Sequence, residues 1–502
     1  MTTPAAEGLR TGAPSRGGLS TARRDQFVAI IAGVVCMTAA QLLQSLVLAP
    51  RRAELVHEDE SSLQSLAITF PRLTLGGFRG IISTMLWLQA EDDKESRRWY
   101  ELQTKYDMIA TLQPYFATVY IFHAWNQAFN LSAQWHDVDT KYKWVLDGLA
   151  YLYGGERYIP RNPDLALAEA QEMFYVKLGG SFERTFYRAH WRADLTRLHE
   201  LQDAKLEKGS ATDALAHVKE FAQRPEFKLT LMPDPAGASK ELGYGVSATD
   251  PDLFIHRQDG KRPEDPVEFR YGMSPFYFAY HAFNRTLTFG EPSMTGMNVL
   301  ESEPAMSLRL WCRDDLYYSM DAMNQMFNAN TPALLDAKVM PAKVAEIRDC
   351  YRNVQMIAPR SVELFKQYLV KWSTTDMGRL TENTHRKHVA ETESYQKIGL
   401  AESQLFNALV QWQIDGRKLT PKVKEMLAAA LPLYDDAIAA ANKWVDTAYP
   451  IKPGEPVPPE RADIALYPFN VGVRKAGIEA MLKLDPGQKP DMSFLEAEVV
   501  ER

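Results

Sequence analysis

Cysteine is scarce in this 502-residue chain: Cys36, Cys312 and Cys350 are the only three, and no two are spaced as Cys-x-x-Cys. That excludes zinc ribbons, thioredoxin-like redox motifs and covalently attached haem. Cys312 and Cys350 are left either to pair across neighbouring helices in an oxidising compartment or to stay as buried thiols. Basic charge is short as well. The formal net charge is −7, and residues 1–52 hold six arginines against two acids, so the remainder carries −11. This argues against a nucleic-acid partner, because phosphate neutralisation needs clustered Lys and Arg. It argues equally against electrostatic docking of the body onto anionic lipid. A phosphate loop is missing too: Gly76-Gly77-Phe78-Arg79-Gly80 has no Lys-Ser/Thr ending and no strand before it.

Long apolar runs are absent with one exception. Phe27 to Ala49 carries no charge, is preceded by Arg10, Arg16, Arg23 and Arg24, and is followed by Arg51 and Arg52. A run of that length spans a bilayer as a helix. The larger arginine count on its N-terminal side predicts a single-pass protein of a bacterial-type inner membrane, with the basic tail 1–26 in the cytoplasm and the C-terminal body outside. A cleaved signal peptide is the rival, since Val47-Leu48-Ala49 offers small residues at a cleavage spacing. Pro50 directly after the cut, and the length of the run, speak against it. Cys36 lacks a lipidation pattern before it and reads as an apolar residue of the span.

Beyond a linker over 50–76, spacing predicts helices throughout. The apolar segment Leu73 to Ala90 contains Arg79, three glycines and Ser83-Thr84, which would be costly in lipid, so it is expected to be the first helix of the body. Leu86, Trp87 and Ala90, then Leu102, Tyr106 and Ile109, recur every three to four residues, and Leu112-Gln113-Pro114 ends the second helix. Further helices follow over 115–132, 141–153 and from Asn162-Pro163 to Gly179-Gly180. Consecutive hairpins are expected over 78–180, with Trp87, Tyr106, Trp125, Trp144 and Phe174 between the layers.

These residues resemble tetratricopeptide repeats: Trp87, Ala90, Leu102, Tyr106, Ile109 and Pro114 match the repeat positions, and Leu484-Asp485-Pro486 matches its closing phrase. The spacing from Pro114 to Pro163 is 49 residues, not 34. A closer likeness is to membrane-anchored helical proteins of planctomycete-type bacteria. Shared phrases run from Phe78 to Ala90 (FRGIISTMLWLQA), from Leu112 to Phe116 and from Phe122 to Asn130. That family has no assigned activity, so the resemblance implies architecture alone.

Residues 225–304 hold nine prolines, which predicts a Pro/Gly-rich irregular insertion packed on the body through Phe254, Ile255, Phe276-Tyr277-Phe278 and Tyr280. Helical patterning resumes over 305–502, with long segments at Thr392 to Asp415 and Val423 to Tyr449 and a Pro-rich bridge, Pro450 to Pro459, before a last hairpin. The fold class expected is therefore all-α: a transmembrane helix over 27–49, a tetratricopeptide-like array over 77–224, the insertion, and a C-terminal helical domain.

Two constellations bear on chemistry. Glu382-x-x-His385-x-x-His388-x-x-Glu391 contains a Glu-x-x-His pair, half of a bundle di-iron site. Each three-residue step falls about 60° short of a full turn, so Glu382 and Glu391 diverge. The other Glu-x-x-His, Glu54 to His57, falls in the linker, and the expectation is a solvated charged face. His123, Asn126 and Asn130 share one helix and are the expected lining of a protein-binding groove, or else satisfy backbone groups within the array. Trp135-His136-Asp137 lacks a nucleophile. The ten tryptophans and the Met320 to Met326 phrase read as interhelical packing, with no cofactor motif and no catalytic residue singled out. The function expected is a membrane-anchored scaffold for protein partners. Its alternative is a metal-binding or enzymatic helical domain using Glu382, His385 and His388 or the His123 helix.

Overall fold

The computed structural model describes residues 78–184, 187, 191, 274–293, 295–327, 340–451, 453–454, 456–461, 466–485 and 488–496. They are helical, with no strand among the described residues. None of the described helices is long and apolar enough to cross a membrane, and the span expected over 27–49 lies outside the described residues. So do the linker 50–76 and residues 225–273 of the Pro-rich segment. The chain divides into two compact units after Val119.

In the first unit α1 (Arg79–Glu95) pairs with α2 (Trp99–Leu112). Leu86, Ala90, Leu102, Tyr106 and Ile109 are buried between them, as the three-to-four spacing predicts. Asp93, 2 % exposed, is held by Lys105 and, at 2.8 Å, by Arg98, so the charged end of the hairpin is pinned. The turn after α1 is a Schellman motif. Arg97 N–H donates to the Lys94 carbonyl and Arg98 N–H to that of Asp93. Arg97 stands there at φ 56°, where the same motif after α10 has Gly416 at φ 70°. A side chain in that region costs about 1–2 kcal/mol, which glycine avoids at some cost in chain entropy. Arg97→Gly should therefore stabilise the first unit by about 0.5–1 kcal/mol, read as a raised denaturant midpoint.

The second unit begins within α3 (Ala117–Trp125), which widens into a π-helical segment, Asn126–Leu131, and a 3-10 turn, Ser132–Gln134. Asp137 caps α4 (Val138–Glu156) by accepting from Thr140 N–H at 2.7 Å, and Asn162 caps α5 (Pro163–Ala168) through Leu165 N–H. α5 continues as a second π-helical segment, Glu169–Gly180. α4 approaches the chain before it closely because of two glycines. A Cβ at Gly148 would sit 2.7 Å from the Ala124 carbonyl oxygen, and one at Gly155 equally close to the Tyr120 ring.

The stretch 274–304, expected to be irregular, is mostly helical: α6 (Pro275–Phe289), α7 (Met297–Leu300) and the start of α8 (Glu303–Phe327). Pro275 occupies the first turn of α6, with the Ser274 hydroxyl accepting from Phe276 N–H. There a missing N–H costs nothing, so proline starts the helix rather than breaking it. α6 packs on the second π segment, with Phe278 stacked on Phe174. Tyr106 and Phe174 are buried as expected, whereas Trp87, Trp125 and Trp144 are half-buried. These indoles sit at the edges of the layers.

The remainder is a bundle of long helices: α8, α9 (Met340–Trp372), α10 (Asp376–Ile414), α11 (Pro421–Ala448) and α12 (Leu466–Lys483), packed in sequence. α8 to α11 run 25 to 39 residues, about twice what a 34-residue two-helix repeat allows. After the Pro-rich bridge the described residues form α12 and a short 3-10 turn, Ser493–Glu496.

Candidate functional site

Helix α10 carries the best sequence candidate, and its four polar residues go to different places. Glu382 is exposed to its own helix neighbour Arg386, whose Nε and Nη2 reach it at 2.8 and 2.6 Å. His385 is 6 % exposed and lies against aromatics of α9, with Tyr368 at 4.5 Å and Phe365 at 5.6 Å between ring centroids. His388 also faces Phe365, 5.6 Å away. Glu391 accepts from Arg309 of α8 at 2.6 Å and from the Tyr395 hydroxyl at 2.6 Å. The expected solvated face is thus corrected: His385 and His388 are turned into the α9 contact, and only Glu382 keeps a solvated partner. Among the described residues no group of three or more His, Cys, Asp or Glu is placed to hold a metal ion.

The electrostatics follow from that burial. Desolvation lowers His385 and pushes His388 down to about 3, with Arg309 adding to the effect at His388, so both imidazoles are neutral at physiological pH. Glu303, at the start of α8, is pushed up to about 7 by burial, against the opposing pull of Arg309. Tyr175 of the second π segment is pushed up to about 12 by burial, with the Glu303 charge contributing. The cluster can therefore store a proton at Glu303 near neutrality. Its guanidinium, Arg309, is already engaged by Glu391. No short-range pattern marks Arg309, because its partner Glu391 comes from α10, over 80 residues away.

The His123 set does not line a groove. His123 and Asn126 are 2 % and 1 % exposed. Gln127 Nε2 lies 2.9 Å from His123 Nε2, Asn126 Nδ2 donates to the Phe122 carbonyl at 3.0 Å, and Asn130 Nδ2 donates to Asn126 Oδ1 at 2.5 Å. The ring of His123 lies 4.0 Å from that of Tyr151 on α4, and burial pushes its pKa down to about 3. The physical reason is the wide π turn at Asn126–Leu131, which rotates these amides inward where they bond along their own helix. This burial takes His123 and Asn126 out of the surface expected to line a protein-binding groove, whereas Asn130, the third residue of that set, is half-buried.

Charged groups that no motif announced are the most completely enclosed. Arg285 on α6 is 2 % exposed, pairs with Glu156 of α4 at 2.9 Å and also with Glu169 of the second π segment, which in turn accepts from Tyr153. Lys177, 6 % exposed, holds its ammonium 5.2 Å above the Phe129 ring and 5.3 Å above Tyr187. Burial lowers its pKa, while Glu183 opposes that shift. In the bundle, Asp315 accepts from Trp311 Nε1 at 3.0 Å and from Asn353 Nδ2 at 2.9 Å. Cys312 and Cys350 are buried thiols with no disulfide between them, the first pushed well up by burial. Set against known proteins, the chain matches no family model, no curated protein and no solved structure.

Proposed function

We propose that this chain is a membrane-anchored helical scaffold, held by residues 27–49 and presenting a rigid body for protein partners, with hairpins of tetratricopeptide-like character over 78–180. One observation carries the proposal: the enclosed charges serve to lock helix to helix. Arg285 joins α6 to α4 and to the second π segment, Arg309 joins α8 to α10, and Arg474 joins α12 to α10. Such ties fix the relative placement of helices more than they add stability, because desolvation cancels much of the attraction. A surface of fixed shape is what binding without catalysis requires. The apolar run at 27–49, with its flanking arginines, supports the anchor and a cytoplasmic N-terminus.

The test has two arms. Carbonate extraction of native membranes should leave the full-length chain in the pellet, and protease added outside the inner membrane should digest the body. Release into the supernatant would refute the anchor, and protection of the body would reverse the orientation. In the second arm the chain, purified in mild detergent, should co-migrate with a stoichiometric protein partner and carry no metal. One equivalent of iron or zinc, lost on His388→Ala with melting unchanged, would overturn the scaffold in favour of a metal-dependent function at Glu382, His385 and His388.

A further inference from the structure

Helix α1 leaves an apolar stripe at the surface. Phe78, immediately before it, and Ile81, Met85 and Leu88 are 49, 53, 59 and 66 % exposed. Their spacing of three, four and three residues puts them on one side of the helix, opposite the buried Ser83, Leu86 and Ala90. The stripe stops at Asp92, which lies on the same side one turn further on and is taken up by Arg98 at 2.7 Å. At the far end of α2, beside the start of α1 in the antiparallel pair, Tyr115 and Phe116 are also exposed, at 42 and 39 %. The Trp87 ring, 6.1 Å from that of Phe116, joins the two helices there. Helix α1 is thus segregated along its length. One end is apolar and aromatic, and the other, Glu91 to Arg98, is charged.

We propose that this stripe seats α1 in the interfacial layer of the bilayer, apolar side down, with the charged turn pointing into water. The inference rests on the anchor proposed above. Three features select lipid over other occupants. Only 28 residues separate Ala49, at the end of the apolar run, from Phe78. A chain of that length reaches at most about 100 Å, so α1 stays within that distance of the membrane. The stripe combines aliphatic with aromatic side chains, the composition of the apolar face of an interfacial helix. Lastly, the acids of α1 itself, Glu91, Asp92, Asp93 and Glu95, are confined to the end that the stripe does not reach, which spares them desolvation on insertion. Because the body is acidic, the contact is apolar, and it should persist in zwitterionic lipid and at high salt.

The full-length chain reconstituted in zwitterionic nanodiscs tests this. An environment-sensitive thiol probe is placed at Leu88→Cys in a Cys36→Ala background, at Lys94→Cys in the same background, and at the native Cys36; the thiols of Cys312 and Cys350 are buried and stay unlabelled. With brominated lipid, the probe at position 88 should shift to the blue and lose intensity, and the probe at 94 should do neither. Quenching at Cys36 without quenching at 88 would overturn the interfacial seat while leaving the anchor standing. Loss of quenching at all three positions would refute anchor and seat together. An oxidative crosslink between two copies through position 88, with no lipid quenching there, would assign the stripe to self-association instead.

Discussion

Arg474→Met should lower the unfolding free energy by about 3–5 kcal/mol, the cost of leaving a buried charge without its partner. Arg474 and Glu402 are 1 % and 0 % exposed and meet at 2.8 Å. The second guanidinium nitrogen donates to the Leu495 carbonyl at 3.0 Å, and Tyr434 of α11 donates to Glu402 at 2.7 Å. One guanidinium thus ties α12 and the final 3-10 turn to α10, and one carboxylate ties α10 to α11. Methionine keeps most of the side-chain volume, so the loss is electrostatic. Burial already holds the Glu402 carboxyl above its ordinary range, opposed chiefly by Arg474. Without Arg474 it takes up a proton instead of standing as a bare charge, so the penalty should be smaller at pH 5 than at pH 8. Arg474→Met combined with Glu402→Leu should recover much of the loss, since a buried pair replaced by apolar groups of like size is close to neutral. Chemical denaturation in detergent, followed by tryptophan fluorescence, reads these two variants and Glu402→Leu alone. A double variant that sums the two single losses would show that the pair is not coupled.

The elements most legible in the sequence were those whose ends are written locally. α11 starts at Thr420-Pro421 because the threonine hydroxyl accepts from Val423 N–H and proline suits the first turn, and it closes at Ala448, two residues before Pro450. The α1/α2 hairpin was legible because its apolar residues fall every three to four positions. α6 was not, because Pro275 reads as a breaker unless Ser274 is recognised as its cap. α10 was expected from Thr392 but starts at Asp376, since its first turns are polar and are stabilised by α9 through contacts that local sequence does not show. The same limit governs the site. His385 looks solvated among Glu382, Arg386 and Lys387, and what buries it is Phe365 and Tyr368 on the preceding helix. The π turns at Asn126 and Glu169, which carry Asn126 and Lys177, have no sequence signal comparable to a cap.

His281→Phe should make the protein less sensitive to acid, gaining about 2 kcal/mol at pH 5 relative to its effect at pH 7.5. His281 lies on α6 with neither ring nitrogen hydrogen-bonded, its ring 4.4 Å from that of Tyr277 and 5.4 Å from that of Tyr280. Burial pushes its pKa from the ordinary 6.5 down to about 3. As pH falls below 6.5, the unfolded chain takes up a proton at this position and the folded protein does not until about pH 3. Stability is therefore fully present above 6.5 and is lost through that window, by about 1.4 kcal/mol per pH unit. His123 and His388, also held near 3, act in the same direction. Glu303 opposes them: with its carboxyl pushed up to about 7, the folded state takes up a proton there before the unfolded state does, which adds stability as pH falls. Glu303 titrates in both the native and the substituted protein, so it cancels when the two are compared. Phenylalanine is larger than histidine, and any overpacking cost of about 1–3 kcal/mol is the same at both pH values. The pH-dependent part of the difference thus isolates the buried imidazole. Urea midpoints of both proteins at pH 7.5 and pH 5 supply it, and an equal offset at the two pH values would mean that the folded protein protonates His281 as readily as the unfolded chain does.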